Sequence, residues 1–332
     1  MMKLGKVPET VLKRSIFKQL NVHRDEVIVR PNVGEDCSAI QFDKDEVCVV
    51  STDPITGAVK DIGSLAVNIT ANDLASSGAE PVGILLTLLL PEGFTEEELK
   101  KIMRDVNNQC GILNIEVMGG HTEVTNSVNK PIISVTGIGK AMKNKLVLTG
   151  KAQVGQDVII TKWAGLEGTA IITKDNEDKL RKHFNSDLID NAIKLGDCIS
   201  VVEEAKIAVK HGATSMHDVT EGGVFGALWE VAACSNVGLE VKLEDIPIKQ
   251  ETIEICEYYN INPYKLISSG CMIITTYEGE LLVDKLREAG INSSVIGKIV
   301  EGKDRIVVQS DTRRALTPPK ADELYKVINC LD

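Results

Sequence analysis

The chain has 332 residues, 43% of them hydrophobic, and 48 acidic against 37 basic side chains give it a net charge of -11. That length exceeds what one core commonly serves, so two domains are expected. The acidic balance excludes a broad nucleic-acid or anionic-membrane surface, no apolar run reaches the length of a bilayer span, and the amino terminus lacks the apolar core of a signal peptide. The 8 cysteines are scattered without a CxxC pair or a Cys/His metal spacing. They read as reduced thiols of a cytoplasmic protein, with no structural zinc.

In chain order, Val11, Leu12, Ile16, Phe17 and Leu20 share one side of a helix expected over 8–20. Residues 34–73 then hold acidic and amide groups on short turns between apolar runs, beginning with Gly34-Glu35-Asp36. Ser38 to Phe42, the charged turn Asp43-Lys44-Asp45 and Val47 to Ser51 predict a hairpin, followed by Thr52-Asp53-Pro54. A helix expected from Gly63 to Ser77 carries Asn68, Asn72 and Asp73, the two asparagines one turn apart on one face. Carboxylates at strand mouths and on a neighbouring helix suit magnesium, which prefers hard oxygens and keeps waters for a phosphate partner. Taken singly, the same residues also serve as caps and turn formers.

Val82 to Leu90 is almost wholly apolar, as in a strand buried on both faces or in one at a subunit contact. Thr95 and Glu98 form a capping box, and Leu99, Ile102, Met103, Val106 and Cys110 the stripe of a helix expected to stop at Gly111. Ile115 to Met118 and Pro131 to Ile138 predict two more strands and complete an α+β sandwich. Between them, Gly119-Gly120-His121-Thr122-Glu123 is expected as a turn. Its glycines would let amides approach an anion, and its hydroxyl and carboxylate could reach a phosphate or a metal; a plain turn fits the same residues. The polar stretch Lys143 to Lys151 marks the boundary between domains over 1–145 and 146–332.

The second half opens on a strand, Asp157 to Thr161, and a glycine loop bearing Gly165 and Gly168 at the start of a helix. Helix amino termini favour anions, although the GxxxxGK[ST] pattern is absent. After a long charged helical region to Lys210, Met216 to Val224 brings Asp218, Thr220, Gly222 and Gly223 to the start of a helix through Ala233. Ser268-Ser269-Gly270 precedes a strand over Cys271 to Thr275, and Glu278 to Val308 reads as helix, strand, turn and strand. Gly165, Gly168, Thr220, Gly222 and Gly223 are therefore candidate nucleotide contacts.

The order GxD, strand-TDP, helix-ND, GGxT, glycine loop and DxTxGG resembles the ATP-using superfamily of AIR synthase, the hydrogenase maturation factor HypE, thiamine-monophosphate kinase and selenophosphate synthetase. The resemblance spans roughly residues 30 to 310. It is nearest to HypE and the AIR-synthase-related proteins in Asn72-Asp73-Leu74-Ala75, Gly78-Ala79-Glu80-Pro81 and Met216 to Gly223. It implies two α+β domains, a homodimer whose amino-terminal sheets join into a barrel, and ATP in a cleft between the domains. Asp36, Asp53, Asp73 and Asp218 would hold magnesium, Asn72 would fix the nucleotide, and Gly119, Gly120 and Thr122 would line the phosphate path. Asp53, Asp218 and His121 would serve the chemistry, a substrate oxygen attacking a phosphorus of ATP.

Departures from the resemblance define further expectations. His121 stands where HypE and the thiamine kinase usually carry Asp. Neutral imidazole binds magnesium poorly, so a phosphate or base role is expected for it, with Glu123 as a stand-in carboxylate. The end Ile328-Asn329-Cys330-Leu331-Asp332 lacks HypE's terminal cysteine motif, so Cys330 is not expected to be a carrier, and residues 1–30 lack the reactive segment of selenophosphate synthetase. The expected function is thus an ATP- and magnesium-dependent enzyme acting on a small or carried substrate. A small-molecule kinase and a nucleotide-binding maturation scaffold are the alternatives.

Overall fold

The computed structural model describes residues 5–6, 11–29, 39–40, 42–55 and 61–328. Their contacts divide into two units: the chain up to Ala75 with Ala79–Leu146, and Ser76–Gly78 with the chain from Val147 onward. Both are α+β.

In the first unit, β1 (Gly5–Lys6), β4 (Glu46–Ile55), β5 (Glu80–Pro91), β6 (Glu116–Thr125) and β7 (Ile132–Met142) form a sheet in the order β1-β6-β5-β7-β4. The apolar strand β5 is central, parallel to β6 and antiparallel to β7. Helices α1 (Ile62–Ser76) and α2 (Glu96–Leu113) bury Val67, Ala71 and Leu74 and Leu99, Ile102, Met103 and Val106 respectively. Glycine sets the approach. A side chain at Gly137 on β7 would run into Thr70 and Leu74, and one at Gly63 into the Ile102 carbonyl. Strand alternation then leaves Val50, Thr52, Thr87 and Thr136 on the opposite face, where the Thr52 and Thr136 hydroxyls lie 3.1 Å apart.

Several local expectations change. Residues 39–52 form no hairpin: β3 (Ala39–Ile40) pairs with β2 (Val27–Val29), whereas β4 pairs with β7. The charged turn between them, closed by the Glu46 amide donating to the Asp43 carbonyl, therefore joins two sheets. The amino-terminal helix is irregular, π-helical over Leu12–Ile16 and 3-10 over Phe17–Gln19. The capping box at Thr95 and Glu98 is present in both directions. Its helix runs through Gly111 to Leu113, where Asn114 turns left-handed (φ 55°) and its amide bonds the Cys110 carbonyl. An asparagine tolerates that conformation, so the glycine is not the stop.

The second unit is a seven-stranded sheet, β14-β13-β10-β12-β8-β11-β9, of β8 (Asp157–Thr161), β9 (Ser215–Asp218), β10 (Gly238–Lys242), β11 (Met272–Thr276), β12 (Ser293–Val300), β13 (Arg305–Gln309) and β14 (Thr312–Ala315). Every residue of β11 is buried, so its run of apolar and threonine side chains is covered on both faces. Around the sheet lie α3 (Leu166–Asp175), α4 (Glu177–Leu180), α5 (Ser186–Lys194), α6 (Val202–Lys210), α7 (Gly223–Cys234), α8 (Gln250–Tyr259), α9 (Gly279–Glu288) and α10 (Leu324–Ile328). Leu324 and Val327 of α10 join Ile172, Leu180, Ile189, Ile255 and Leu266 in one apolar cluster, which docks the carboxyl-terminal segment. Cys330 lies outside the described residues. Among the described residues no helix is long and apolar enough to cross a membrane.

Candidate active site

The first unit gathers its acids along β4. Asp73, near the end of α1, accepts a short hydrogen bond from the Ser51 hydroxyl on β4. Alternate residues of a strand share a face, so Asp53 stands on the Ser51 side; both are half-buried, while Thr52 and Pro54 are exposed opposite. Two carboxylates and a hydroxyl are hard oxygen donors. They suit an ion such as magnesium, which takes one or two carboxylates and leaves its remaining positions to water and phosphate. Asp36 lies outside the described residues. Among the described residues, no three His, Cys, Asp or Glu side chains converge into a metal cage.

Asn72 is fully buried, and Asn68 accepts from Gln109 Nε2 at 2.9 Å, which ties α1 to α2. The expected turn at Gly119–Glu123 is part of β6. Its residues pair with Leu85 to Leu89 of β5 after a register shift at Ile84/Leu85. At Gly120 a side chain would begin 1.9 Å from the Leu86 carbonyl oxygen, so the glycine is required by the neighbouring strand. Gly119 and Gly120 are thus ladder positions of β6 rather than a turn, and Gly120 permits the close approach of β5. Thr122 is buried, whereas His121 is exposed and Glu123 half-buried. His121 Nε2 lies 3.2 Å from Glu123 Oε2, a contact that orients the imidazole.

In the second unit the glycine amides are likewise engaged. Gly165, left-handed at φ 71°, caps α3, but its amide donates to Ser268 Oγ at 2.6 Å and that of Gly168 to the Ile267 carbonyl at 3.0 Å. A side chain on Gly168 would overlap Leu266. Both are packing positions. Gly222 and Gly223 are left-handed at φ 83° and 61°, and Gly223 donates to the carbonyl of half-buried Thr220 at 3.1 Å. The Gly222 amide donates to Asp322 Oδ2 at 2.8 Å, so a carboxylate of the chain itself already occupies the start of α7. Asp218 is buried, and its Oδ1 accepts from the Ser76 hydroxyl at 3.1 Å.

Two acids here escaped the sequence reading. Glu167, fully buried, accepts from the Ser269 amide at 3.1 Å. Burial pushes its carboxyl up to about 7; the Ser269 hydrogen bonds oppose the shift, and the charges of Asp322 and Asp218 add to it. An acid flanked by Gly165 and Gly168 was a visible signal. Asp322 had none, because its partner lies 100 residues away.

The chain matches the AIR synthase related protein, N-terminal domain, over residues 34–141 and the AIR synthase related protein, C-terminal domain, over residues 153–309. It belongs to the AIR synthase related family. It is 30% identical to a putative hydrogenase expression/formation protein of Methanocaldococcus jannaschii, with 97% of each chain covered. Identity to the carbamoyl dehydratase HypE of Rhodobacter capsulatus is 24%, covering 86% of this chain and 83% of that one. The fold is that of the hydrogenase maturation protein HypE solved in complex with ATP: the TM-score is 0.78 at 19% identity, with 96% of each chain covered.

Proposed function

We propose that this chain is an ATP- and magnesium-dependent enzyme that moves the γ-phosphoryl group of ATP to a substrate oxygen, forming one P–O bond as the bond to ADP breaks. The observation that carries the reading is the contact between Asp73 and Ser51, which gathers two carboxylates on one side of β4. Asp53 and Asp73, with Asp36 and Asp218, would hold magnesium, which when bound neutralises phosphate charge. Asn72 would fix the nucleotide, Gly119, Gly120 and Thr122 would line the phosphate path, and Gly165, Gly168, Thr220, Gly222 and Gly223 would be further nucleotide contacts. His121, oriented by Glu123, would take a proton from the carbamoyl nitrogen as its carbonyl oxygen attacks. Kinship with HypE, named a carbamoyl dehydratase and solved with ATP, supports activation of a carried carbonyl oxygen, with loss of phosphate afterwards. A cytoplasmic homodimer formed through the open face of the first-unit sheet belongs to the same proposal; on that face Val50 is 59% exposed. The test is phosphorus NMR of ATP and magnesium incubated with a carbamoylated peptide as probe. ADP, free phosphate and a peptide lighter by one water are expected. A stable phosphorylated peptide would make the chain a kinase, and ATP left unconsumed would contradict the enzymatic reading.

A further inference from the structure

We propose that Asp322 is a positioning residue, whose carboxylate pins the Asp218–Gly223 turn in the shape the active site uses. The proposal rests on the nucleotide reading above for its functional half. Two consecutive left-handed glycines, Gly222 and Gly223, give this turn a backbone that few other residues could adopt. The same freedom means that the glycines do not hold the shape themselves, so something else must fix it.

Asp322 supplies that constraint. It is 3% exposed, and its two oxygens divide their work: Oδ2 accepts from the Gly222 amide and Oδ1 from the Leu324 amide, each at 2.8 Å. A carboxylate is all acceptor, so it serves both amides at once, and the positive end of α7 adds to the attraction. The segment that carries it is fastened on both sides. Pro319 packs over Gly222 and Gly226, the Tyr325 hydroxyl donates to Glu221 Oε1 at 2.7 Å, and Glu323 Oε2 accepts from the Asn262 amide at 3.3 Å. Leu324 and Val327 are enough to dock α10 by burial alone. A buried carboxylate adds a desolvation cost that docking does not need; its return is the fixed amide of Gly222. Four residues upstream of that amide, Asp218 ends β9, so the pin acts on the segment that aims the Asp218 side chain.

The test compares Asp322→Asn with Val327→Ala, a variant that loosens α10 without touching the carboxylate. Asparagine keeps one acceptor oxygen and turns an NH2 group toward the second amide, so one donor loses its partner. Amide hydrogen exchange over residues 219–224 and ATP titration with magnesium are read on both variants and on the wild type. Asp322→Asn should exchange about tenfold faster and bind ATP about tenfold more weakly, whereas Val327→Ala should change either by less than about twofold. Equal exchange in the two variants would overturn the pin. Wild-type affinity in Asp322→Asn would overturn its functional role. If the wild type itself fails to bind ATP, the nucleotide reading falls together with the functional half of this proposal, and the exchange measurement still decides whether the turn is pinned.

Discussion

Gly119–Glu123 and Asp218–Gly223 use nearly the same residues, a pair of glycines with a hydroxyl and an acid, and reach different structures. In the first, the chain stays extended in β6, and Gly120 lets the strand lie against the Leu86 carbonyl. In the second, the glycines turn left-handed into α7, and the amide at the turn is taken by Asp322. The difference lies in what each segment packs against: an apolar strand on one side, a buried carboxylate on the other. The acidic side chains divide as well. Asp53 and Asp73 are half-buried, where a ligand could reach them, while Glu167 and Asp322 are buried among amides that already satisfy them.

The largest expected effect comes from Gly120→Ala, whose new carbon would begin 1.9 Å from a backbone oxygen. It should cost about 3 kcal/mol or more in urea unfolding, because a neighbouring strand must move. Gly111→Ala is the counterpart. Inside α2, with nothing nearer than Val22 at 3.8 Å, it should stabilise by up to about 1 kcal/mol. A Gly120→Ala protein of normal stability that had lost only ATP affinity would return this segment to an anion-binding role.

Glu167→Gln sharpens the account of the second segment. In the fold this carboxyl is raised from 4.5 to about 7. A raised carboxyl gives stability that is complete below its unfolded value and lost as the pH climbs through its folded one. The wild type should thus lose on the order of 3 kcal/mol through this group between about pH 4.5 and about pH 7, and the glutamine variant none of it. Urea unfolding at both ends of that window checks this. The same pH dependence in both proteins would mean that Glu167 titrates normally.

Asp53→Asn and Asp73→Asn probe the half-buried pair. Each should weaken ATP binding in magnesium by roughly ten- to a hundredfold, the equivalent of about 1.5–3 kcal/mol for a charged contact, and Asp53→Asn should leave stability nearly unchanged. The smallest effect is expected at Thr95→Ala. Losing the cap should cost about 1 kcal/mol of stability with no change in ATP affinity.

Much of this architecture could be read from local pattern. The capping box at Thr95, the stripe from Leu99 to Cys110 and the strand Asp157–Thr161 are each determined within a few residues, and they hold as expected. Where partners are distant, the pattern fails. Ser38 to Phe42 and Val47 to Ser51 looked like a hairpin because alternation does not say which strand is the neighbour, whereas β3 pairs with β2 and β4 with β7. The glycines of β6 looked like a turn because the demand for a missing side chain comes from Leu86, 34 positions earlier by number. In the site, Asp53 and Asp73 were visible as acids beside turns, but the contact through Ser51 needed the fold. Glu167 stood visibly between Gly165 and Gly168, but its amide partner Ser269 did not, and Asp322 was missed because the amide it satisfies lies 100 residues away.

The central claim is that the first-unit carboxylates serve an ion shared with a nucleotide. Equilibrium titration of ATP into the wild-type chain, with magnesium and with the metal chelated away, tests it most directly. Saturable binding that requires magnesium, and that Asp53→Asn weakens but Glu167→Gln does not, is the predicted result. ATP binding indifferent to magnesium, or lost in Glu167→Gln and kept in Asp53→Asn, would contradict it.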